Sequence, residues 1–408
     1  MNDREDIMMK RMFSIMIIVV MMLGILAGCN DGFTLKDFDL DIGDEVILGN
    51  YHDEDIEWEV ISRNFLINEG KVRVELMSKY ALDCKPFNED GESTWEECSL
   101  REWLNTDFYE EAFSKTEKKH IVDSSYFCYT AEEDRFLTDK VYLIGMLKYR
   151  MHPEDALCKP TKYAKKQGIF VEDKYCRYWT RDIMVSVYAG TGTGKGETRS
   201  SPAVYSNTGS FAAIPDDPYK AEDVGVRPVI CVEYKIKIDK KCIEDGDTIT
   251  MGTYDEEPIE WFVIDNHKGE FTLFSKYGLD DRRMDKKEAD SFEETELYEW
   301  LNDDFYNEVF DKKEKKKIVK NDLDGFVTLA DIDQMKYAMH CIGNDFFTGY
   351  SKACYERDDD LKEIDTWWTC EDNYKDDKGF YVFNVSRMMM KTDPDQKCSI
   401  RPVITIKI

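Results

Sequence analysis

This chain repeats itself, and that limits its fold more than any other feature. Gly43-Asp44 opens a segment that runs through Ile47-Leu48-Gly49-Asn50-Tyr51 to Ile56-Glu57-Trp58-Glu59-Val60-Ile61. Gly246-Asp247 opens another, through Ile249-Thr250-Met251-Gly252-Thr253-Tyr254 to Ile259-Glu260-Trp261-Phe262-Val263-Ile264. Leu76-Met77-Ser78-Lys79-Tyr80 is answered by Leu273-Phe274-Ser275-Lys276-Tyr277. Glu102-Trp103-Leu104-Asn105 is answered by Glu299-Trp300-Leu301-Asn302, and Trp179-Thr180 by Trp368-Thr369. Both series close on Arg-Pro-Val-Ile, at Arg227 to Ile230 and Arg401 to Ile404. Blocks that match in the same order are the mark of duplication. The reading is two diverged copies of one domain, at 43–237 and 245–408, joined by a charged linker from Asp239 to Glu244. The period is far longer than a solenoid repeat, so each copy is expected to bury its own core, as two beads.

Within a copy the pattern is mixed. Glu57-Trp58-Glu59-Val60-Ile61 and Val72-Arg73-Val74-Glu75-Leu76 alternate as half-buried strands do. A helix is expected after Ser99, with Leu100, Trp103 and Leu104 on one face. A second is expected from Ser114, where Glu117 completes a capping box, as Asp311 and Glu314 do in the second copy. A third is expected over Thr138 to Tyr149, and short strands with long loops from about Tyr175. Elements that do not strictly alternate give an α+β class with antiparallel sheet.

The start of the chain reads as an address. Lys10 and Arg11 precede an apolar run from Met12 to Ala27, too short for a comfortable membrane span of about 20 residues. The run ends Leu26-Ala27-Gly28-Cys29, which resembles the lipobox of bacterial lipoproteins. The resemblance implies cleavage after Gly28, acylation of Cys29 through its sulfur, and residues 29–42 as a tether. The expected location is the extracytoplasmic face of the cell membrane, held by the lipid. The net charge of −29 opposes a phosphate backbone, so nucleic acid is not an expected partner.

Leu100-Arg101-Glu102-Trp103-Leu104-Asn105, Thr138-Asp139-Lys140-Val141-Tyr142-Leu143, Thr161-Lys162-Tyr163-Ala164, Tyr178-Trp179-Thr180-Arg181 and Val226-Arg227-Pro228-Val229 together resemble a bacterial domain of unknown function, the family numbered 6273. The family implies no activity. Its tryptophan-bearing strand and closing Val-Arg-Pro strand are similar in layout to the C-type-lectin-like and formylglycine-generating-enzyme superfamily.

Differences between the copies point to a site. Arg101 becomes Tyr298 and Arg181 becomes Cys370, whereas Arg227 is kept as Arg401. A residue needed only for the fold tends to survive in both. Arg101 and Arg181 are therefore candidate ligand contacts in the first copy, with Tyr178 and Trp179 offering aromatic faces to the guanidinium. The competing reading is an internal salt bridge lost by drift. Trp58, Trp103, Trp261 and Trp300 read as core, and Trp367-Trp368 as a bracket for a sugar ring, with at least one of the two expected to be buried. Gly190 to Gly196 fails the phosphate-loop spacing. Of twelve cysteines, removing Cys29 leaves eleven (12 − 1), without C-x-x-C pairs, and they read as mostly reduced, buried thiols. No metal, cofactor or catalytic constellation is recognisable. Asp280-Asp281 and Asp358-Asp359-Asp360 lack calcium-loop spacing. The expected role is a binding module for a glycan or peptide, ahead of an extracellular enzyme or a spacer.

Overall fold

The computed structural model describes residues 40–128, 135–145, 153–188, 197–213, 218–286, 289–342, 350–352, 354, 366–375, 377–384 and 387–408. Cys29, Gly28, the glycine-rich run and Asp358-Asp359-Asp360 lie outside them. The class is α+β, dominated by strands. Among the described residues no helix is long and apolar enough to cross a membrane.

The alternating pattern at Trp58 produces the long strand Glu54–Leu66, which buries Ile56, Trp58 and Val60 on one face. It pairs antiparallel with Glu45–Tyr51 and with Lys71–Ser78. Lys71–Ser78 pairs in turn with the closing strand Pro228–Lys235. The second half builds the same ladder. Thr248–Tyr254 pairs with Glu257–His267, which pairs with Glu270–Ser275, which pairs with Pro402–Lys407.

Each half also carries a five-stranded sheet. The first runs Phe211–Ala213, Glu197–Tyr205, Tyr178–Tyr188, Gly225–Val226, Asp83–Cys84. The second runs Met389–Lys391, Tyr381–Asn384, Thr366–Trp368, Lys397–Ile400, Asp280–Arg283, with the same connectivity read from that end.

The two halves are not separate beads. The last residues of Glu54–Leu66 pair in parallel with Thr248–Tyr254, in the register Thr248 to Asn64, Ile249 to Phe65 and Thr250 to Leu66. One 12-stranded sheet therefore runs through both halves. A single cluster of buried side chains likewise extends from Leu40 to Ile406. The segment read as a linker packs into it, since Ile243 is 1% exposed. Strands that end at an open edge leave unpaired N–H and C=O groups, and each half covers that edge of the other.

Three helix expectations resolve differently. The first is present at Ser99–Trp103 and continues through a π-helical turn, Leu104–Phe108, into Tyr109–Ala112. The second half repeats this as Glu296–Trp300, Leu301–Phe305 and Tyr306–Val309. The capping box at Ser114 forms, with Ser114 N donating to Glu117 Oε2 at 2.7 Å and Glu117 N to Ser114 Oγ at 3.3 Å, but only one 3-10 turn, Glu117–Lys119, follows. The other oxygen of Glu117 is already taken by Gly49 N at 2.8 Å. The box thus pins a strand rather than starting a helix. The third expectation falls on described residues only as far as 145, and there two strands stand instead, Arg135–Asp139 and Val141–Leu143, while 146–149 lie outside the described residues. Val141, Tyr142 and Leu143 are all buried, and they pair with Ile230, Val229 and Pro228 of the closing strand. A helix would have turned one of the three towards solvent.

Candidate functional site

Most of the residues shared by the halves hold the fold. Trp58 Nε1 donates to Leu48 O at 2.7 Å, and Trp261 Nε1 donates to Met251 O at 2.7 Å. Tyr51 and Tyr254 each donate to an aspartate, Asp83 and Asp280, at 2.8 Å. Asp280 thereby serves a tyrosine and, at 2.9 Å, Arg282. Trp103 and Trp300 depart from the core expectation. Both are half-buried. Each lies under a cation, Lys85 at 4.7 Å and Arg282 at 3.8 Å from the ring centre. Trp367 and Trp368 are 1% and 0% exposed, so neither presents a face to a sugar.

Arg227 and Arg401 are buried at 2% and 0% exposure. Arg227 Nε donates to Ser78 O at 2.8 Å, and Arg401 Nε donates to Ser275 O at 3.0 Å. Burial pushes the Arg401 pKa down to about 9, with nearby Tyr277 opposing the shift.

The four proposed ligand contacts divide. Tyr178 and Trp179 are fully buried. Tyr178 donates its hydroxyl proton to Ala156 O at 2.8 Å and accepts from Arg227 at 3.2 Å. Trp179 donates to Lys85 O at 2.8 Å. Neither offers its ring to Arg181, because their places on the Tyr178–Tyr188 strand turn them into the core.

Arg101 and Arg181 do meet, around a residue that sequence reasoning passed over. Tyr126 lies on the strand Ser124–Cys128 and is 6% exposed. The Arg181 guanidinium sits 4.6 Å from its ring centre. The Tyr126 hydroxyl donates a short hydrogen bond to Asp139 Oδ2, the oxygen that also accepts from Arg101 Nε at 2.8 Å. Trp95 Nε1 donates to the same hydroxyl at 2.7 Å. Tyr142 stacks on Tyr126 at 4.7 Å with an interplanar angle of 20°. Arg181 also donates to Phe127 O at 3.1 Å and Leu143 O at 2.8 Å. The strands that replaced the expected third helix are thus what assemble this cluster.

Its electrostatics favour charge on the arginines. Burial works against the Arg181 cation, but Asp182, Cys128, Tyr126 and Tyr142 outweigh it and the pKa rises. Burial also opposes the Arg101 charge and Asp139 outweighs it. Burial, with Asp139 beside it, pushes the Tyr126 phenol up, so it stays protonated and donates. Arg181 is half-buried and the Arg101 side chain is 20% exposed, so the cluster lies close to the surface. The corresponding second-half residues do other work. Tyr298 donates to Leu323 O at 2.6 Å, and burial pushes the Cys370 thiol up.

Asn105 was also missed. Its amide donates to Arg101 O at 3.1 Å and Val141 O at 2.8 Å, while its carbonyl accepts from Lys140 N and Val141 N at 3.1 Å each. It fixes the Arg101 helix to the strand beyond Asp139. Asn302 makes the same set with Tyr298, Phe326 and Val327. Its recurrence in the Trp-Leu-Asn block of both halves was the available signal.

Comparison with known families decides one point. Residues 72–234 match the model of a domain of unknown function, DUF6273. A DUF6273 domain therefore spans most of the first half. It takes in the whole Arg101–Tyr126–Asp139–Arg181 cluster and begins at the third strand of the ladder, Lys71–Ser78. No curated protein and no solved structure matches the chain.

Proposed function

We propose that this chain is a lipid-anchored extracytoplasmic protein of two diverged copies of one domain, whose first copy is a non-catalytic binding module. Its ligand is a glycan or peptide that bears a carboxylate. The observation that carries this reading is the convergence of Arg101 and Arg181 on Tyr126, at positions where the second half has Tyr298 and Cys370 instead. A guanidinium beside a protonated phenol and a tyrosine stack suits a planar anion with an apolar neighbour. The Gly28-Cys29 junction supports the anchor. The matched tryptophan, tyrosine and asparagine contacts support the duplication. The C-type-lectin-like layout belongs to the same reading and rests on the closing Arg-Pro strands.

The test is binding by the full chain to a uronic-acid oligosaccharide and to a peptide with a free C-terminal carboxylate, each beside its methyl ester. Saturable binding of an acid form, weakened at least tenfold by Arg101→Gln at an unchanged thermal midpoint, is expected. Equal behaviour of acid and ester would remove the anion from the proposal. No binding of any form would remove the ligand site from this half.

A further inference from the structure

Cys158 and Cys176 stand opposite each other across an antiparallel bridge. Cys158 directly precedes the strand Lys159–Pro160, which lies beside Tyr80–Ala81. Cys176 ends the strand Tyr175–Cys176. Cys176 N donates to Cys158 O at 2.8 Å, and its thiol lies 3.4 Å from the same oxygen. Directly opposed residues of such a hydrogen-bonded pair have Cα atoms roughly 5.5 Å apart, at the commonest separation for a disulfide. Cross-strand partners also share one face of the sheet, so both Cβ vectors point the same way. Among the described residues no other two cysteines are opposed across strands.

The surroundings favour reaction between these two. The Cys176 thiol donates to Cys158 O at 3.4 Å and the Cys158 thiol lies 3.5 Å from Lys159 O, with the Arg227 guanidinium acting on both. Burial opposes ionisation of Cys158, but the Cys176 thiol and Arg227 outweigh it and bring its pKa down. The Cys158 hydrogen bond, together with burial, pushes Cys176 up.

We infer that Cys158 and Cys176 form a structural disulfide in the exported protein, closed by exchange with a small-molecule or protein disulfide as the chain folds. The Cys158 thiolate attacks one sulfur of that disulfide and expels its partner as a thiolate. Cys176 then loses its proton and attacks the mixed disulfide at the Cys158 sulfur, releasing the second thiol. Two protein S–H bonds are lost and one S–S bond forms. The two electrons and two protons leave on the reduced co-reactant. Both residues are 0% exposed, so exchange precedes the closing of this segment. The bridge ties together a loop of 18 positions that holds the helix Lys162–Gln167 and the hairpin Val171–Cys176.

The experiment refolds the full chain in a buffer of reduced and oxidised glutathione. Remaining thiols are alkylated under denaturing conditions and the digest is mapped by mass spectrometry without reduction. A peptide pair joined through Cys158 and Cys176 is expected as the main linked species. Alkylation of both residues, or linkage of either one to a different cysteine, would overturn the inference. As a second measurement, the oxidised protein should have an unfolding constant on the order of a hundredfold lower than the reduced protein. The Cys158→Ser, Cys176→Ser double variant should lose that difference. Its persistence in the double variant would assign the stabilisation to other cysteines and overturn the inference as well.

Discussion

Arg63 and Asp247 lie 184 positions apart and are joined by two parallel hydrogen bonds, Nε to Oδ1 at 2.8 Å and Nη2 to Oδ2 at 2.7 Å. Both side chains are closed to solvent, and Arg63 Nη1 adds Leu40 O at 3.0 Å and Asp41 at 2.6 Å. This fork binds the first half to the second beside the parallel pairing of their strands. Removing one partner strands the other charge in the interior. Arg63→Met or Asp247→Asn is expected to cost about 3–5 kcal/mol in urea unfolding. The parent should unfold in one transition by tryptophan fluorescence and by circular dichroism. Two resolved transitions in the parent would show that the halves are energetically independent despite the shared sheet.

Trp58 and Trp261 offer a paired test of the duplication. Each donates its indole proton to a buried strand carbonyl at the same distance. Trp58→Phe and Trp261→Phe should each destabilise by about 1–3 kcal/mol, because the carbonyl loses its partner where water cannot replace it. Costs that differ by more than twofold would mean that the two ladders carry unequal loads.

Much of this architecture was legible in the sequence, and the reasons are local. Trp58 and Trp261 sit in alternating strands, and the ladder around each follows from that alternation. The π-helical turn falls in the Trp-Leu-Asn block that recurs in both halves. Thr138 to Tyr149 was misread because a short apolar run fits a helix and a buried strand equally well. What settles it is Asn105, 36 positions from Val141, which bonds both the N–H and the C=O of Val141. The joined sheet was hidden for a similar reason. Asn64-Phe65-Leu66 ends its strand, and nothing in the pattern says that this end meets Thr248. Arg101 and Arg181 were singled out as ligand contacts with Trp179 as the ring, but the ring that both approach is Tyr126. A lone tyrosine in Ser-Ser-Tyr-Phe-Cys carries no signal of that kind.

Gly49 and Gly252 should resist substitution. Their φ values are +79° and +76°, in the left-handed region. A Cβ at Gly49 would come 2.6 Å from Ala112 O, and one at Gly252 would come 2.7 Å from the Val309 side chain. Gly43 also has positive φ, at +89°, but faces open space. Gly43→Ala is expected to cost about 1 kcal/mol, the ordinary left-handed penalty, and Gly49→Ala clearly more. Thermal midpoints of the two variants give the comparison.

Acid should weaken the first ladder through Glu233. Burial raises its carboxyl, but Lys71 at 2.7 Å and Arg73 at 2.9 Å outweigh it and hold the carboxyl below the usual carboxylate range. A depressed carboxylate contributes stability above its unfolded pKa, and that contribution is lost as pH falls through its folded value. Stability should therefore decline below about pH 4.5, and Glu233→Gln should flatten part of that decline. The loss at neutral pH should be small, since the cations are partly exposed and screened. A variant with an unaltered acid profile would assign the decline to other carboxylates.

The Arg63 fork has a mechanical meaning as well. Leu40 and Asp41 are where the chain from the proposed anchor enters the fold, and both are held by Arg63. A pull on that entry point reaches Arg63 and, through it, Asp247 on the far half. Glu45–Tyr51 would otherwise be the first strand to peel. With the fork in place, tension is passed across the seam and borne by two ladders in parallel, so a tethered copy under shear would yield as one body.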